Sequence, residues 1–252
     1  MVHDEFNLAA AARQVMTEEG FQPDFPAEAQ QQLAGIHPKS DPSLRDLRTL
    51  LWSSIDNDDS RDLDQIEWAE RVDGGIRVRI GVADVDSAVP KGTPLDRHAA
   101  REATTVYAAV RTFPMLPEPL STGMTSLNEN QDRAAVVIEY VVNSEGLIGA
   151  NTIYRAMVRN RAQLAYNGVG AWLEGKGAAP PKVAASGELQ AQLKLQDEAA
   201  CTLREARFRL GRPDVRPRGA DAGDQQRQRA GDPGAAEQSR GALDRRFHDR
   251  GE

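Results

Sequence analysis

Asp56-Asn57-Asp58-Asp59-Ser60-Arg61-Asp62-Leu63-Asp64-Gln65 runs directly into Ile66-Glu67-Trp68-Ala69-Glu70-Arg71-Val72-Asp73-Gly74-Gly75-Ile76-Arg77-Val78-Arg79-Ile80-Gly81-Val82. The second part decides the fold reading. Ile66 and Trp68 precede the turn Asp73-Gly74-Gly75, and Ile76, Val78, Ile80 and Val82 then alternate with Arg77, Arg79 and Gly81. Alternate residues of a strand share a face, so the pattern predicts a hairpin around a glycine turn. The first part places five carboxylates, Asp56, Asp58, Asp59, Asp62 and Asp64, within nine residues. Ionised groups at that density repel unless something positive sits among them. Oxygen-only donors suit a hard divalent cation, Mg²⁺, Mn²⁺ or Ca²⁺. The loop therefore predicts a metal site and chemistry on an anionic substrate.

Residues 134–142 and 147–158 flank Asn143-Ser144-Glu145-Gly146 and read as a second hairpin. Residues 6–34 read as two short helices. Phe6, Leu8, Ala9, Ala12 and Val15 share an apolar face, and Pro23 and Pro26 break the chain before the second helix. Residues 36–45 read as a linker and 44–52 as a short helix. Pro94 opens a helix to about Thr104, 113–119 is irregular, and 164–174 and 188–210 read as helices. Hairpins mixed with helices predict an α+β fold, a mixed sheet with packed helices. No internal repeat is visible. The expected divisions are a helical segment and linker over 1–46, a main domain over 47–210 and a tail over 211–252.

The chain has 252 residues, enough for a sizeable core, and the low aromatic content of 5% makes that core aliphatic. A net charge of −7 argues against a basic whole-chain surface, so any contact with nucleic acid must use a local basic area or metal-bridged phosphates. Cys201 is the single cysteine, which excludes an internal disulfide and fits a reducing compartment. The first residues carry no basic and apolar leader pattern, and no stretch is apolar enough to span a membrane, so the expectation is a soluble cytoplasmic protein.

Two readings of the acidic loop compete. Asp56, Asp58, Ser60, Asp62, Asp64 and Glu67 fall at EF-hand positions, but Arg61 stands where the sharp turn needs glycine, and strand rather than helix follows. The alternative is a two-metal site for phosphodiester hydrolysis, in which carboxylates spaced as Asp56…Asp62-x-Asp64 converge when the loop folds back. Asp62 and Asp64 share a side of an extended segment.

Further motifs favour the second reading. Ser54-Ile55-Asp56…Asp62-Leu63-Asp64, Ile80-Gly81-Val82-Ala83-Asp84-Val85, and Thr105-Val106-Tyr107…Phe113-Pro114-Met115-Leu116-Pro117 are followed by Pro119-Leu120-Ser121, Ser126-Leu127-Asn128 and Arg159-Asn160-Arg161-Ala162…Tyr166. In this order and spacing they resemble the N-terminal part of the catalytic domain of the ribonuclease II/R (RNB) exoribonucleases, over about residues 47–210. The resemblance implies a 3′→5′ hydrolase of single-stranded RNA that releases nucleoside monophosphates with Mg²⁺. It implies metal-site and catalytic roles for Asp56, Asp62 and Asp64. It also implies RNA contacts for Tyr107, by stacking near the 3′ end, and for Tyr166.

One position departs from that pattern. Gln65 stands where the best-known members have a fourth aspartate. It offers a neutral oxygen to a metal and removes one negative charge. Asp58 and Asp59 read as solvated loop carboxylates. Asp84 reads equally as a neighbour of the site or a structural hydrogen-bonding residue. His98 reads as a surface residue, Trp52, Trp68 and Trp172 as packing residues, and Cys201 as a small buried apolar residue.

The tail has nine arginines, no lysine and few apolar residues, so it cannot bury a core of its own and is expected to be disordered. Such composition also arises when a GC-rich gene is read in the wrong frame. Back-translation of the tail, read one base later with permitted codons, gives a segment similar to the family's next one. The tail therefore reads as translated out of frame, leaving a truncated domain of weak or no activity. The alternative to a nuclease is a non-catalytic RNA- or metal-binding remnant. No protein partner is indicated.

Overall fold

The computed structural model describes residues 7–37 and 41–211. Phe6 and the tail beyond Gly211, with the expectations attached to them, lie outside the described residues. Two helices, α1 (Leu8–Glu18) and α2 (Ala27–Ala34), come first. Strands β1 (Arg45–Asp46), β2 (Trp52–Asp56), β3 (Gln65–Val72) and β4 (Gly75–Ala83) follow, then α3 (Pro94–Glu102). A small hairpin, β5 (Val106–Ala108) and β6 (Arg111–Phe113), precedes a wide π-helical turn, Pro119–Met124. Strands β7 (Asp132–Val142) and β8 (Ile148–Ala165) then lead into α4 (Tyr166–Leu173), α5 (Pro181–Ala184) and α6 (Gly187–Arg209). The α+β expectation and both hairpins hold.

The large sheet has the order β1-β8-β2-β3-β4-β7, and β7 also pairs with β8, so the sheet closes on itself. The length of β8 makes closure possible. Residues from Ile148 to Arg159 pair antiparallel with β7, and Asn160 to Ala165 pair parallel with β2. Trp52, Leu63, Ile66, Trp68, Leu127, Val137 and Val158 form one core cluster across these strands. Ala69 faces the other way, with Ile76, Val78 and Tyr140 against Ala199 and Leu203 of α6. Thus β3 is buried on both faces, which is why Ile66-Glu67-Trp68-Ala69 shows no simple alternation of burial.

Because β2 meets β3 only at Ser53 and Glu67, the next part of that β3 edge has no strand beside it. The Gln192 amide of α6 takes the place: Nε2 donates to Ala69 O at 2.7 Å and Oε1 accepts from Ala69 N at 3.0 Å. Backbone groups left unpaired in a buried place are costly, so this side chain also fixes where α6 sits. At the other hairpin, Gly146 has φ +76°, and a Cβ there would lie 2.5 Å from both Thr202 O and Ala206 Cβ of α6. Only glycine allows so close an approach.

Several expectations are corrected. Residues 44–52 form no helix. Leu47 and Leu50 pack on the sheet core with Leu51, the indole of Trp52 donates to Leu47 O at 2.8 Å, and Trp52 begins β2. The run is instead a two-residue strand followed by a turn in which Leu50 N donates to Leu47 O at 3.3 Å, and burial of its leucines against the sheet outweighs their helical spacing. The helix expected over 164–174 begins later, at Tyr166, because β8 continues to Ala165. On α1 the anticipated apolar face is outward, with Leu8 57% and Val15 54% exposed, and Met16 is buried instead.

His98 is buried rather than on the surface, its ring 4.5 Å from that of Phe25. Cys201 is only half-buried. Trp52 and Trp68 are buried packing residues as expected, and Trp172 is partly buried under Lys194. Among the described residues, no helix is long and apolar enough to cross a membrane.

Candidate active site

Asp56 ends β2, Gln65 opens β3, and the acidic loop joins them. Asp56 Oδ1 accepts from Asn57 N at 2.7 Å and from Ser60 Oγ at 2.8 Å, a local turn held by the aspartate's own side chain. Asp58 and Asp59 are exposed. Leu63 is the loop's anchor. It is buried in the sheet core, while Asp62 and Asp64 on either side are exposed. Burying a leucine is worth about 1.5–3 kcal/mol, enough to orient its two neighbours outward by strand alternation.

The backbone around Leu63 is pinned. Leu63 N donates to Ser126 Oγ at 3.0 Å, Leu63 O accepts from Leu127 N at 2.8 Å, and Asp64 O accepts from Ala83 N at 2.8 Å. Gln163 Nε2 donates to Ser60 O at 3.2 Å. The segment 126–128 is itself held from β7. Arg133 Nε donates to Ser126 O and Arg133 Nη2 to Gly123 O, each at 2.9 Å. Burial lowers the Arg133 guanidinium from its usual range.

Tyr107 stands on β5, and its hydroxyl lies 3.4 Å from Asp62 Oδ2 while its ring is 71% exposed. Desolvation of the hydroxyl end raises the phenol pKa, and so do the charges of Asp62, Asp64 and Asp56. One hydroxyl thus feels all three aspartates. Among the described residues, no group of three His, Cys, Asp or Glu side chains is gathered closely enough to hold a metal ion. The carboxylates form an open set, with Asp62 beside the exposed Tyr107.

The remaining candidates fall nearby or apart. Gln65 is half-buried and pairs with Val82. Tyr166 follows Ala165, the partner of Asp56 across β2 and β8, but its ring is buried among Ile55, Val169 and Leu193. Asp84 caps the turn at Ser87 and binds Arg155 at 2.7 Å, the structural role. Ser126, Asn160 and Arg133 were assigned no role by sequence. The available signal was polar residues inside apolar surroundings, and only contacts distant in sequence give it meaning.

The family model described as the RNB domain matches residues 44–230, and the chain belongs to that family. The match reaches past Gly211 into the arginine-rich segment. Ribonuclease R of Escherichia coli (strain K12) is 37% identical over 156 residues, covering 60% of this chain and 19% of that protein. Exoribonuclease 2 of Cronobacter sakazakii is 32% identical over 178 residues, covering 68% of this chain and 27% of that protein. The chain therefore spans about a fifth to a quarter of the length of these relatives. Among solved structures, Mycoplasma genitalium RNase R in complex with ribose methylated single-stranded RNA superposes with a TM-score of 0.75 at 22% identity. That match covers 83% of this chain and 33% of that one, a likeness of fold.

Proposed function

We propose that this chain supplies the carboxylate and RNA-stacking part of a 3′→5′ exoribonuclease that releases nucleoside 5′-monophosphates from single-stranded RNA. The observation that carries the reading is the approach of the exposed Tyr107 to Asp62, with Asp64 and Asp56 close enough to act on the same hydroxyl. Family membership and the named nuclease relatives support it.

The donors fit a hard cation, since all are oxygens. An open set also fits. Mg²⁺ keeps several waters and is commonly bound by one or two carboxylates together with substrate phosphates. Asp56, Asp62 and Asp64 would hold Mg²⁺, or Mn²⁺, with Gln65 as a neutral donor. The chemistry such an ion supplies when bound is activation of water and neutralisation of phosphate charge.

The chain's own residues do the positioning. The Tyr107 ring offers a face on which a base near the 3′ end can stack, and its hydroxyl orients Asp62. Leu63 keeps Asp62 and Asp64 outward. The buried ring of Tyr166 backs the Asp56 end of the site, and its RNA contact is confined to what it exposes.

The test is Mg²⁺-dependent release of monophosphates from single-stranded RNA, assayed for the chain and for the version with the tail read one base later. Loss of release in Asp64→Asn is the expected result, and an unchanged rate would remove Asp64 from the catalytic assignment. Retention of RNA or cation without turnover in both versions would favour a non-catalytic binding module.

A further inference from the structure

The motif Ser126-Leu127-Asn128 and the buried Asn160 lie outside the acidic loop, yet they make its backbone contacts. Ser126, Leu127, Asn160 and Leu63 are each 1% exposed. The Ser126 hydroxyl accepts from Leu63 N at 3.0 Å and lies 3.0 Å from Arg61 O and 3.1 Å from Asn128 Oδ1. A hydroxyl has one proton and two lone pairs. It can therefore accept from one side of Asp62 and donate to the other.

Leu127 N closes the next link to Leu63 O. Asn160 Nδ2 then ties Leu127 O, at 3.0 Å, to Ser54 Oγ of β2, at 2.9 Å. Arg61 O, Leu63 N and Leu63 O, the backbone groups flanking Asp62, are all met by residues 126 and 127. The strut is buried and continuous with the strand that ends in Asp56.

We propose that Ser126 is a positioning residue for the carboxylate loop. It holds the backbone on both sides of Asp62, so that Asp62 and Asp64 are presented in a fixed arrangement before a cation arrives. The proposal rests on the metal-site reading above for its purpose, and on hydrogen-bond geometry for its mechanism. Asn160 supports it from β8. Carboxylates of like charge on an unheld loop would spread apart, and a cation would then have to order them as it binds. Preorganised ligands avoid that loss.

The experiment compares the full chain with Ser126→Ala and Ser126→Thr by site-resolved amide exchange and by Mn²⁺ titration followed by electron paramagnetic resonance. Ser126→Ala is expected to speed exchange of the Leu63 amide by about tenfold or more, because its buried acceptor is gone, and to leave Val137 in β7 unchanged. Mn²⁺ affinity is expected to fall by about tenfold in the same variant, the factor that corresponds to one ordinary interaction. Ser126→Thr, which keeps the hydroxyl, restores both. Should the alanine variant unfold, Ser126→Cys is read in its place, since a thiol fills the volume but accepts weakly.

Leu63 exchange that does not change, or rises equally with that of Val137, overturns the proposal. So does unchanged Mn²⁺ affinity beside faster Leu63 exchange, because the loop would then not need the strut to present its ligands. An unaltered chain that binds no Mn²⁺ would instead count against the metal-site reading, and the exchange measurement alone would then decide whether Ser126 fixes the loop.

Discussion

The hydroxyl of Tyr107 stands 3.4 Å from Asp62 Oδ2, joining a small exposed hairpin to the acidic loop of the closed sheet. The two residues are 45 positions apart in sequence. The contact gives the exposed ring a fixed place beside the carboxylates, and it separates two roles that substitutions can distinguish.

Tyr107→Ala removes ring and hydroxyl together. Base stacking on an aromatic is worth about 1–3 kcal/mol, so affinity for a short single-stranded RNA should fall by about 5- to 150-fold in fluorescence anisotropy. Tyr107→Phe keeps the ring and should bind within about twofold of the unaltered chain, the stacking energy of a ring being little changed by its hydroxyl. Equal losses in both variants would show that the hydroxyl, not the ring face, carries the contact.

Stability should depend on His98 in acid. Burial lowers its pKa below the ordinary 6.5, against the charge of Glu102, which raises it, while that of Arg101 lowers it further. The folded protein therefore resists protonation that the unfolded chain accepts. Stability is full above the unfolded value and falls as pH drops below about 6.5. His98→Gln should flatten the denaturation midpoint between about pH 7.5 and pH 5 relative to the unaltered chain. A parallel fall in both would assign the acid sensitivity to other groups.

Gly146→Ala should destabilise by about 2 kcal/mol or more, combining backbone strain with overpacking. The added carbon meets Thr202 O and Ala206 Cβ at 2.5 Å. Gly20 also has positive φ, at +91°, but nothing stands within 4 Å of its added carbon. Gly20→Ala should therefore show the smaller loss in urea unfolding. Equal losses would mean that close packing of the hairpin on α6 contributes nothing.

Gln192→Ala should leave the N–H and C=O of Ala69 unpaired at the β3 edge. Each such group costs about 1–3 kcal/mol when buried, and Ala69 is fully buried beneath α6. A lower unfolding midpoint in urea is expected. No change would show that water replaces the glutamine without loss.

The sequence carried local information well and long-range information poorly. Both hairpins were legible, the first because Ile76, Val78 and Ile80 follow the two-residue period after a glycine turn, the second because two apolar runs flank Asn143-Ser144-Glu145-Gly146. Helix α6 was legible over 188–210, and the structure adds its cap, Ser186 Oγ accepting from Leu189 N. Sheet closure was not legible: the pattern in β8 shows a strand but not that its two halves have different partners. The leucines at 44–52 misled because helical spacing and a turn that packs its leucines on a sheet look alike over nine residues. His98 misled because its burial comes from Phe25, far away in sequence. Within the site, the aspartates announce themselves by charge. Tyr107 came only from resemblance, and Ser126 gained a role only once its hydroxyl was seen between Arg61 and Leu63.

In the function proposed above, the loop holds a divalent cation through Asp62 and Asp64. Calorimetric titration of Mg²⁺ into the full chain and into the Asp62→Asn/Asp64→Asn double variant is the decisive measurement. Saturable binding by the unaltered chain and its loss in the double variant are expected. Binding of equal strength in both would rule the site out.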